Sequence, residues 1–419
     1  MKLMILVCLS LIASVASLAP TAHAQTFSVI HTFTGVGEDG AFPEAGVTER
    51  AGALYGTTSG GGISGVFGFG SVYQMTPTGA AWAYTPIFPF PEDGYIGYDP
   101  IARVVFGPDH HLYGTTFNGG IHNGGGTVFS LTPPPSICKT VSCPWSSKLV
   151  WSFNAFDTSG GDNPGSGDLL WDEQGNIYGP TAYGGNPGLG VIYELSPSGN
   201  GWQETVLYTF TDLPDGRIPF GGLIFDPQGN LWGTTAYGGP ADQGTIFKLT
   251  HTPGAGWQET IVYSLQNNDG EAPMGGLVMD SSGNFYGTAS DLGSGVGGTV
   301  FELSPSGDSY TFKVLYSFSG YYGCGPQAGL TLDSAGNLYG TTRCDGAYQS
   351  GNVFKLTNNN GWVYTSLYDF TGGSDGNQPY SNVTIGTDGT LYGTAERGGS
   401  FEGDCGKAGG CGVVWQIKP

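Results

Sequence analysis

The apolar residues of this chain fall in short runs that are separated by turn residues. Residues 231–235, 244–249 and 257–265 are typical runs, rich in Val, Ile, Thr, Tyr and Phe and bounded by Gly, Pro, Asn or Asp. Runs of this length and composition predict β-strands joined by tight turns. No segment keeps the 3.6-residue apolar spacing of an amphipathic helix over a helical length, so we expect almost no helix.

The same pattern recurs seven times. Its most regular part is Leu-Tyr-Gly-Thr-Thr or a close variant, whose central glycines are Gly56, Gly114, Gly179, Gly233, Gly287, Gly340 and Gly393. Each unit holds four runs, named strands a to d; in the fourth unit they are residues 221–226, 231–235, 244–249 and 257–265. A period of this size indicates one supersecondary unit copied many times. The missing side chain at the central glycine predicts a close approach, which we attribute to tight packing between blades.

Four antiparallel strands in each of seven units predict an all-β, seven-bladed β-propeller. The chain starts, after its first residues, on a d-type strand at 27–33 and ends on a c-type strand at 412–417. The last unit therefore lacks its own strand d. Pairing of these two strands would complete the sheet and close the ring, which would leave no unpaired strand edge at the ends of the array.

The first 24 residues have the features of a secretory signal peptide. Lys2 precedes an apolar run at residues 3–18, and Ala22-His23-Ala24 fits a small-residue cleavage site. We therefore expect an exported protein, extracellular, on the cell surface or periplasmic, with a single domain at residues 25–419. Its repeats cover about residues 43–89, 100–153, 166–210, 219–265, 273–318, 326–370 and 379–419, the last completed by residues 27–33.

The charge of the chain limits its partners. The sequence has 13 basic and 34 acidic residues, so loss of Lys2 with the signal peptide leaves 12 − 34 = −22. Such a charge repels nucleic acids and anionic lipids and favours cationic partners. No second apolar run approaches the ~20 residues of a membrane helix. We expect a monomer that neither binds nucleic acid nor inserts into a membrane.

Six of the seven cysteines follow the predicted signal peptide, and an even number in an exported chain indicates disulfides. None has the Cys-x-x-Cys spacing of a zinc site. Among the fifteen possible pairings, proximity in the sequence favours Cys138–Cys143, Cys405–Cys411 and Cys324–Cys344.

The units resemble the Gloeo-Verruco (GloVer) tandem repeat of bacterial exported proteins. The resemblance rests on Gly-Asn-Leu-Tyr-Gly-Thr-Thr at residues 336–342, the Gly-Gly pair that follows this motif in other units, Gly-Thr-Val-Phe at 298–301 and Val-Leu-Tyr-Ser-Phe at 314–318. It covers essentially the whole chain after the signal peptide and implies an exported, β-rich protein of undefined biochemical role. Members of the family often carry a C-terminal surface-anchor segment; because this sequence stops at Lys418-Pro419 directly after its last strand c, we do not expect anchoring by that route. The unit is more distantly similar to NHL-type and lactonase-like propellers, in architecture alone.

Antiparallel order places the loops from strand d to strand a, and from b to c, on one face of a propeller. Five d-to-a loops contain an Asp-Gly pair, with the carboxylates of Asp39, Asp93, Asp215, Asp269 and Asp375. If these converge on one mouth of the central channel, they could hold Ca²⁺ or a cationic ligand. Asp-Gly is also a favourable turn pair, and the sequence lacks a Ca²⁺-loop motif. We expect no other cofactor.

The b-to-c loops supply further candidates for ligand binding. Phe117, Tyr183 and Tyr237 lie beside Gly-Gly pairs and could stack on a sugar or a peptide, or could pack over their own blades. Arg343, Glu396 and Arg397 stand where other units have small residues. Such breaks in a repeat are typical of a functional site and equally of random sequence variation at surface positions.

The sequence favours a binding function over a catalytic one. It contains no Gly-x-Ser-x-Gly nucleophile motif, and its Gly-x-Gly-x-x-Gly matches do not open helices. We expect a non-catalytic binding or scaffold module that takes an extracellular glycan, peptide or protein on the face of the d-to-a and b-to-c loops. The alternative is a propeller enzyme, a hydrolase, lyase or lactonase, that acts on an extracellular carbohydrate or lactone.

Overall fold

The computed structural model describes residues 25–134, 145–199 and 201–419. Seven antiparallel sheets, each with its strands in the spatial order a, b, c and d, confirm the predicted seven-bladed β-propeller. The predicted signal peptide lies outside the described residues. Helix in the described chain is limited to a 3-10 turn at Gly62–Ser64 and a five-residue α-helix at Asp404–Ala408. Within the described ranges, no helix has the length and apolar character needed to cross a membrane.

The two inner strands of each blade differ in length. Strands a, which face the central axis, are Thr48–Arg50, Val105–Phe106, Leu170–Trp171, Ile224–Phe225, Val278–Met279, Thr331–Leu332 and Thr384–Ile385. Strands b are Ala53–Thr58, Leu112–Thr116, Ile177–Gly184, Leu231–Thr235, Phe285–Ala289, Leu338–Thr342 and Leu391–Ala395.

The outer strands are longer. Strands c are Ser71–Thr78, Thr127–Thr132, Val191–Ser198, Thr245–Thr252, Thr299–Ser306, Asn352–Asn358 and Val413–Lys418. Strands d of blades 1 to 6 are Ala81–Pro89, Ser146–Ser152, Gly201–Thr209, Gly256–Ser264, Ser309–Ser317 and Trp362–Asp369, and strand d of blade 7 is Thr26–Thr32.

The two ends of the described chain close the ring. Thr26–Thr32 pairs antiparallel with Val413–Lys418, from Thr26 opposite Lys418 to Thr32 opposite Val413, with one register shift after Val29. The N-terminal strand thereby becomes strand d of the last blade. This confirms the pairing that the phase of the repeat predicts.

Hydrophobic clusters fill the spaces between neighbouring blades. In one cluster, Trp232 and Ile246 of blade 4 pack with Leu277, Phe285 and Phe301 of blade 5. Because both faces of each sheet are covered by neighbours, strands b are buried along nearly all of their length and show no inside-outside alternation. Burial of this apolar surface is the main force that holds the ring together.

The central glycine of each repeat makes room for an aromatic side chain of its own blade. Gly233 lies directly opposite Phe247 of strand c, and a Cβ atom built on Gly233 would lie 2.6 Å from the Phe247 ring. Tyr73 fills the corresponding space over Gly56, and Trp415 does so over Gly393. Our attribution of this glycine to packing between blades is therefore wrong, because the close neighbour is within the same sheet.

The two threonines after this glycine fasten the blades to one another and to their loops. The Thr234 hydroxyl donates to the carbonyl of Gly275 in blade 5, 3.1 Å away, and the Thr235 hydroxyl donates to the carbonyl of Tyr237 in its own loop. The Thr394 hydroxyl donates to the carbonyl of Ala45 in blade 1 at 2.8 Å, so the same contact spans the closing junction.

An aspartate organises the turn between strands a and b. Asp226 accepts hydrogen bonds from the backbone N–H groups of Gln228 and Asn230, from the Asn230 amide, and from the Trp232 indole at 2.9 Å. Asp172, Asp280 and Asp333 make equivalent contacts with a tyrosine in place of the tryptophan. These turns lie on the face opposite the d-to-a loops.

Strands a are shorter than the predicted six-residue runs. In the fourth unit only Ile224–Phe225 pairs with strand b. The preceding glycines instead pack edge to edge around the axis: a Cβ on Gly221 would lie 2.6 Å from the Gly275 carbonyl carbon, and one on Gly275 would lie 2.5 Å from the Gly329 nitrogen. At these glycines, the expected hydrogen-bonded pairing with strand b is replaced by direct backbone contact with the equivalent glycine segment of the next blade.

Candidate functional site

The d-to-a and b-to-c loops hydrogen-bond to each other and form one continuous surface, here called the loop face. Gly40–Ala41 pairs with Gly60–Gly61, and Gly216–Arg217 pairs with Tyr237–Gly238. Single bridges join other loop pairs in the same way. Because these backbones are tied together, side chains on the loop face have rigid supports.

The five Asp-Gly carboxylates of the loop face bond to their own loops. Asp215 accepts hydrogen bonds from the Thr211 N–H and hydroxyl, the Gly216 N–H and the Tyr208 hydroxyl. Asp39, Asp93, Asp269 and Asp375 likewise accept from residues of their own d-to-a segments. None of the five is among the residues that line the central channel in the described chain.

These contacts perturb the acidity of two of the carboxyls. Burial by itself would raise the pKa of Asp375, but hydrogen bonds from Thr371 and Tyr368 outweigh it and lower the pKa. Burial would also raise the pKa of Asp39, but the neighbouring His31 and Thr34 outweigh it and lower that pKa. No group of three His, Cys, Asp or Glu residues in the described ranges is arranged to hold a metal ion; Ca²⁺ binding stays a prediction.

Two of the three predicted disulfides are formed. Cys324–Cys344 joins a d-to-a loop to a b-to-c loop, and Cys405–Cys411 closes a short loop of the last blade. Cys138 and Cys143 lie outside the described residues. Both formed disulfides are on the loop face, so they brace the surface that carries the candidate residues.

The three aromatic candidates differ in exposure. Tyr183 is 43% exposed, whereas Phe117 and Tyr237 are half-buried. The Arg217 guanidinium lies over the Tyr237 ring, 5.5 Å from its centre. Tyr183 lines a cleft of about 360 Å³ at the rim of the loop face, together with Phe156 and the carboxylates of Asp157 and Asp162.

The exposed large hydrophobic side chains are concentrated on the loop face. Fourteen are exposed in the part of the chain that the structure describes; twelve belong to d-to-a or b-to-c loops, Tyr183 lies at the loop-face end of a strand b, and Val363 lies on a strand d. The thirteen on the loop face are Val36, Ile63, Phe67, Tyr95, Ile121, Phe156, Tyr183, Leu213, Val296, Tyr321, Tyr322, Tyr348 and Phe401. Apart from Tyr183, the sequence analysis missed them, because strand patterns do not show which loop residues protrude.

The central channel encloses a cavity of about 760 Å³ that residues of all seven blades line. Its walls differ in chemistry. Every ionisable lining side chain, namely Glu44, Arg103, Asp168 and Tyr380, belongs to blades 7, 1, 2 and 3. The wall of blades 4 to 6 consists of glycines and apolar residues, with Gln327 and Thr331 as its polar side chains.

An ion pair crosses part of this channel. The Arg103 guanidinium contacts both carboxylate oxygens of Asp168 in blade 3, and one Nη atom lies 3.4 Å from the Thr384 hydroxyl of blade 7. Burial would lower the pKa of Arg103, but the Asp168 charge raises it, so the guanidinium stays protonated. The paired charges therefore leave little net charge at this level of the channel.

The three polar residues that break the repeat lie together at the loop-face end of the channel. The Arg397 Nε atom donates to Glu396 at 2.7 Å, and the Arg343 guanidinium lies 5.3 Å from the centre of the Tyr380 ring. The charge of Glu396, and that of Glu44 across the closing junction, both act on the Tyr380 hydroxyl. We call these five residues the mouth cluster.

Glu44 is the most perturbed carboxyl of the mouth cluster. Burial raises its pKa to about 7, and the nearby negative charges of Glu396 and Asp99 add to the effect. The Ser59 hydroxyl, 2.6 Å from one carboxylate oxygen, and the Arg397 charge act in the opposite direction but do not cancel it. Glu44 thus exchanges its proton near neutral pH, as a general acid or base must.

Burial also affects the rest of the cluster. It raises the pKa of Glu396, although Arg397 and Arg343 oppose the rise, and it raises the pKa of Tyr380 to about 12. A carboxylic acid, a phenol and two guanidiniums therefore stand side by side at the channel mouth. Such a set can donate and accept several hydrogen bonds at once.

The two disulfides support the arginines of the mouth cluster. Arg343 directly precedes Cys344 of the first disulfide. The carbonyl of Ala408, inside the loop that Cys405–Cys411 closes, accepts a hydrogen bond of 2.7 Å from Arg397. Each disulfide therefore helps to fix the position of one arginine side chain on the loop face.

The sequence analysis missed Glu44 and Tyr380, although a signal was present. Each residue follows a proline at the end of a d-to-a loop, and the same position holds Ile101, Met274 and Gln327 in other blades. These positions line the channel. A comparison of the repeats at this position alone would have identified Glu44 as the one acid among them.

Three comparisons with known proteins relate the chain to others. Residues 64–278 and 251–419 match the family described as Gloeobacter/Verrucomicrobia repeat. No curated protein is significantly similar in sequence. Many solved structures share the fold.

Three of these structures illustrate the similarity. An ancestral GH74 enzyme is 10% identical with a TM-score of 0.55, over 90% of this chain and 48% of its own. A PL25 ulvan lyase bound to -[GlcA(1-4)Rha3S]- is 10% identical with a TM-score of 0.53, over 88% and 93%. A structure described as a gluconolactonase is 12% identical with a TM-score of 0.41, over 82% and 94%. At these identities the likeness establishes the fold alone.

Proposed function

Because the chain belongs to the Gloeobacter/Verrucomicrobia repeat family and folds as a seven-bladed propeller, we propose that it is an exported binding module. Its ligand is an extracellular glycan chain, which lies across the loop face and contacts the exposed aromatic side chains. Catalysis is not required for this function.

The proposal rests on one observation, the confinement of thirteen of fourteen exposed large hydrophobic side chains to the loop face. Large apolar side chains that are exposed on one face of a folded domain can serve as contact points for a ligand. Aromatic side chains can stack on the apolar faces of sugar rings while neighbouring polar groups bond to the hydroxyls. The rim cleft around Phe156, Tyr183 and Asp162 combines both kinds of group.

Two further facts agree with an exported glycan-binding protein. The formed disulfides are typical of oxidising compartments. Two propellers with TM-scores above 0.5, the GH74 enzyme and the ulvan lyase, are carbohydrate-active, although fold alone does not transfer a function.

A glycan array tests the proposal. Binding by the wild-type chain should fall about tenfold in the double variant F156A/Y183A, because loss of two stacking side chains costs on the order of 1–2 kcal/mol. Val363→Ala is the matched control, since Val363 is exposed away from the loop face. Unchanged binding in F156A/Y183A and in Y321A/Y322A, or no glycan bound at all, would refute the proposal.

A second candidate function is catalysis on the same glycan, with Glu44 as the acid or base. The observation that favours it is the pKa of about 7 for a carboxyl at the mouth of the channel. Incubation of wild type and Glu44→Gln with array-positive polysaccharides, followed by assay of new reducing ends, distinguishes the two. Release by wild type that E44Q abolishes would establish an enzyme; no release would leave the binding module.

A further inference from the structure

The central channel has the two-sided chemistry of a sugar-binding pocket. One wall carries the ionisable groups, Glu44 and Tyr380 at the mouth and the Arg103–Asp168 pair below them. The opposite wall, in blades 4 to 6, is made of glycine backbone and Met274 with its apolar neighbours, and Gln327 and Thr331 are its polar side chains. A sugar ring has the same division, with hydroxyls at its edge and C–H groups on its faces.

We propose that the loop-face end of the channel is a pocket for a single uncharged sugar unit, with its hydroxyls toward Glu44 and Tyr380 and its apolar face toward blades 4 to 6. This inference rests on the proposed function and names the subsite that would read the identity of the glycan. The cavity of about 760 Å³ is within the usual range for small-molecule pockets.

The flat wall opposite the polar groups follows from the sequence of the repeat. Gly222, Gly276 and Gly329 occupy equivalent positions in blades 4, 5 and 6, as Gly46 does in blade 1, and Arg103, Asp168 and Asn382 occupy the same position in blades 2, 3 and 7. The three neighbouring glycines of blades 4 to 6 leave no side chain to fill the channel on their side. The uneven distribution of side chains at this one position makes the pocket half polar and half apolar.

The charges of the pocket disfavour an anionic ligand. Arg103 is neutralised by Asp168, and the Arg397 guanidinium is engaged by Glu396 and the Ala408 carbonyl. Arg343 lies over the Tyr380 ring and is not among the lining residues. A uronate therefore finds no unpaired guanidinium on the wall, whereas the hydroxyls of a neutral sugar find donors and acceptors.

Saturation-transfer NMR with free monosaccharides tests the pocket. The probes are the neutral sugars glucose, galactose, mannose, xylose and rhamnose, with glucuronate as the charged counterpart. We expect at least one neutral sugar to receive saturation from the wild-type chain, more strongly than glucuronate. Met274→Trp should remove the signal, because the indole would fill the mouth from the apolar side.

Two further variants keep the test decisive. Gln327→Trp fills the same space from blade 6, so a folding defect in one variant does not decide the result. Val363→Ala should leave the monosaccharide signal unchanged, since Val363 is exposed on strand d of blade 6, away from the loop face. A signal that survives in both folded tryptophan variants, a stronger signal from glucuronate, or no signal from any neutral sugar would overturn the inference.

The array and the NMR experiment together distinguish failure of the pocket inference from failure of the proposed function. If F156A/Y183A loses array binding while M274W and Q327W keep the monosaccharide signal, the loop-face proposal stands and the pocket is refuted. If no glycan binds on the array, the proposed function is refuted and the pocket inference, which rests on it, is refuted with it.

Discussion

Replacement of Glu44 by glutamine should change the pH dependence of stability. Glu44 has a pKa of about 7 in the folded chain against a usual value of 4.5. Between these values the folded state holds a proton that the unfolded state has lost. The stability that Glu44 contributes is therefore complete below pH 4.5, falls as pH rises to about 7, and is constant above it.

The size of the effect follows from the two pKa values. Ionising a carboxyl whose pKa rises from 4.5 to about 7 on folding costs about 3 kcal/mol. The glutamine side chain of E44Q cannot ionise and keeps an oxygen for the Ser59 hydroxyl, so the variant avoids this cost. With an unfolding entropy of about 2.1 cal/mol/K per residue, the melting temperature of E44Q relative to wild type should rise by roughly 3–4 °C between pH 5 and pH 8.

The assay is thermal unfolding of both proteins in parallel across pH 5 to 8. The groups that face Glu44 are Glu396, Asp99, Arg397, Ser59 and Tyr380, and all are retained in E44Q. Glu259, whose pKa burial also raises to about 7, is present in both proteins and cancels in the difference. Glu92→Gln removes a charge from an exposed position on the loop face, so it is the control for the effect of losing one carboxylate on the melting temperature. A melting-temperature difference that does not vary with pH would refute the assigned environment of Glu44.

Three further predictions concern stability, each checked by chemical denaturation. Phe27→Ala should cost about 2 kcal/mol, because Phe27 of the closing strand stacks on Tyr368 at 3.6 Å between ring centres and is half-buried. Asp226→Ala should cost about 2–4 kcal/mol, because it leaves four donors of one turn without their acceptor. Replacing Cys324 and Cys344 by serine should cost about 3 kcal/mol, from the loop of 20 residues that the disulfide closes.

Each of these has a control and a contradicting result. Ser28→Ala, on the same strand as Phe27, removes only the hydrogen bond from the Gln416 amide and should cost about 1 kcal/mol; equal losses from the two variants would show that the ring contact does not matter. For Asp226, Asn in its place keeps part of the acceptor geometry and should lose less than Ala. For the disulfide, wild type under reducing conditions should lose at least as much stability as the serine variant; an unchanged unfolding midpoint in both would contradict the bridge.

The fold could be predicted from the sequence because the same strand and turn patterns occur in each of the seven repeats. The position of Val413–Lys418 as the last strand c, with Thr26–Thr32 in d-type phase, was sufficient to predict the closing sheet. The central glycine was found but misread, because Gly233 and Phe247 are 14 positions apart and only strand register reveals that they face each other.

The site could be predicted only in part. Arg343, Glu396 and Arg397 were visible as breaks in the repeat, but their partner Glu44 comes from the other end of the chain and meets them only when the ring closes. Exposure of Phe156 or Tyr322 depends on how each loop folds over its neighbour. The acidity of Glu44 depends on burial, which the residue type alone does not give.

The location of the ligand is the claim on which the account depends most. Hydrogen–deuterium exchange, measured with and without an oligosaccharide identified on the array, maps it directly. We predict slowed exchange in the d-to-a and b-to-c loops, most strongly near Glu44, Tyr183 and Tyr380, with no change in the a-to-b and c-to-d turns. Slowed exchange confined to those turns, on the opposite face, would contradict the account.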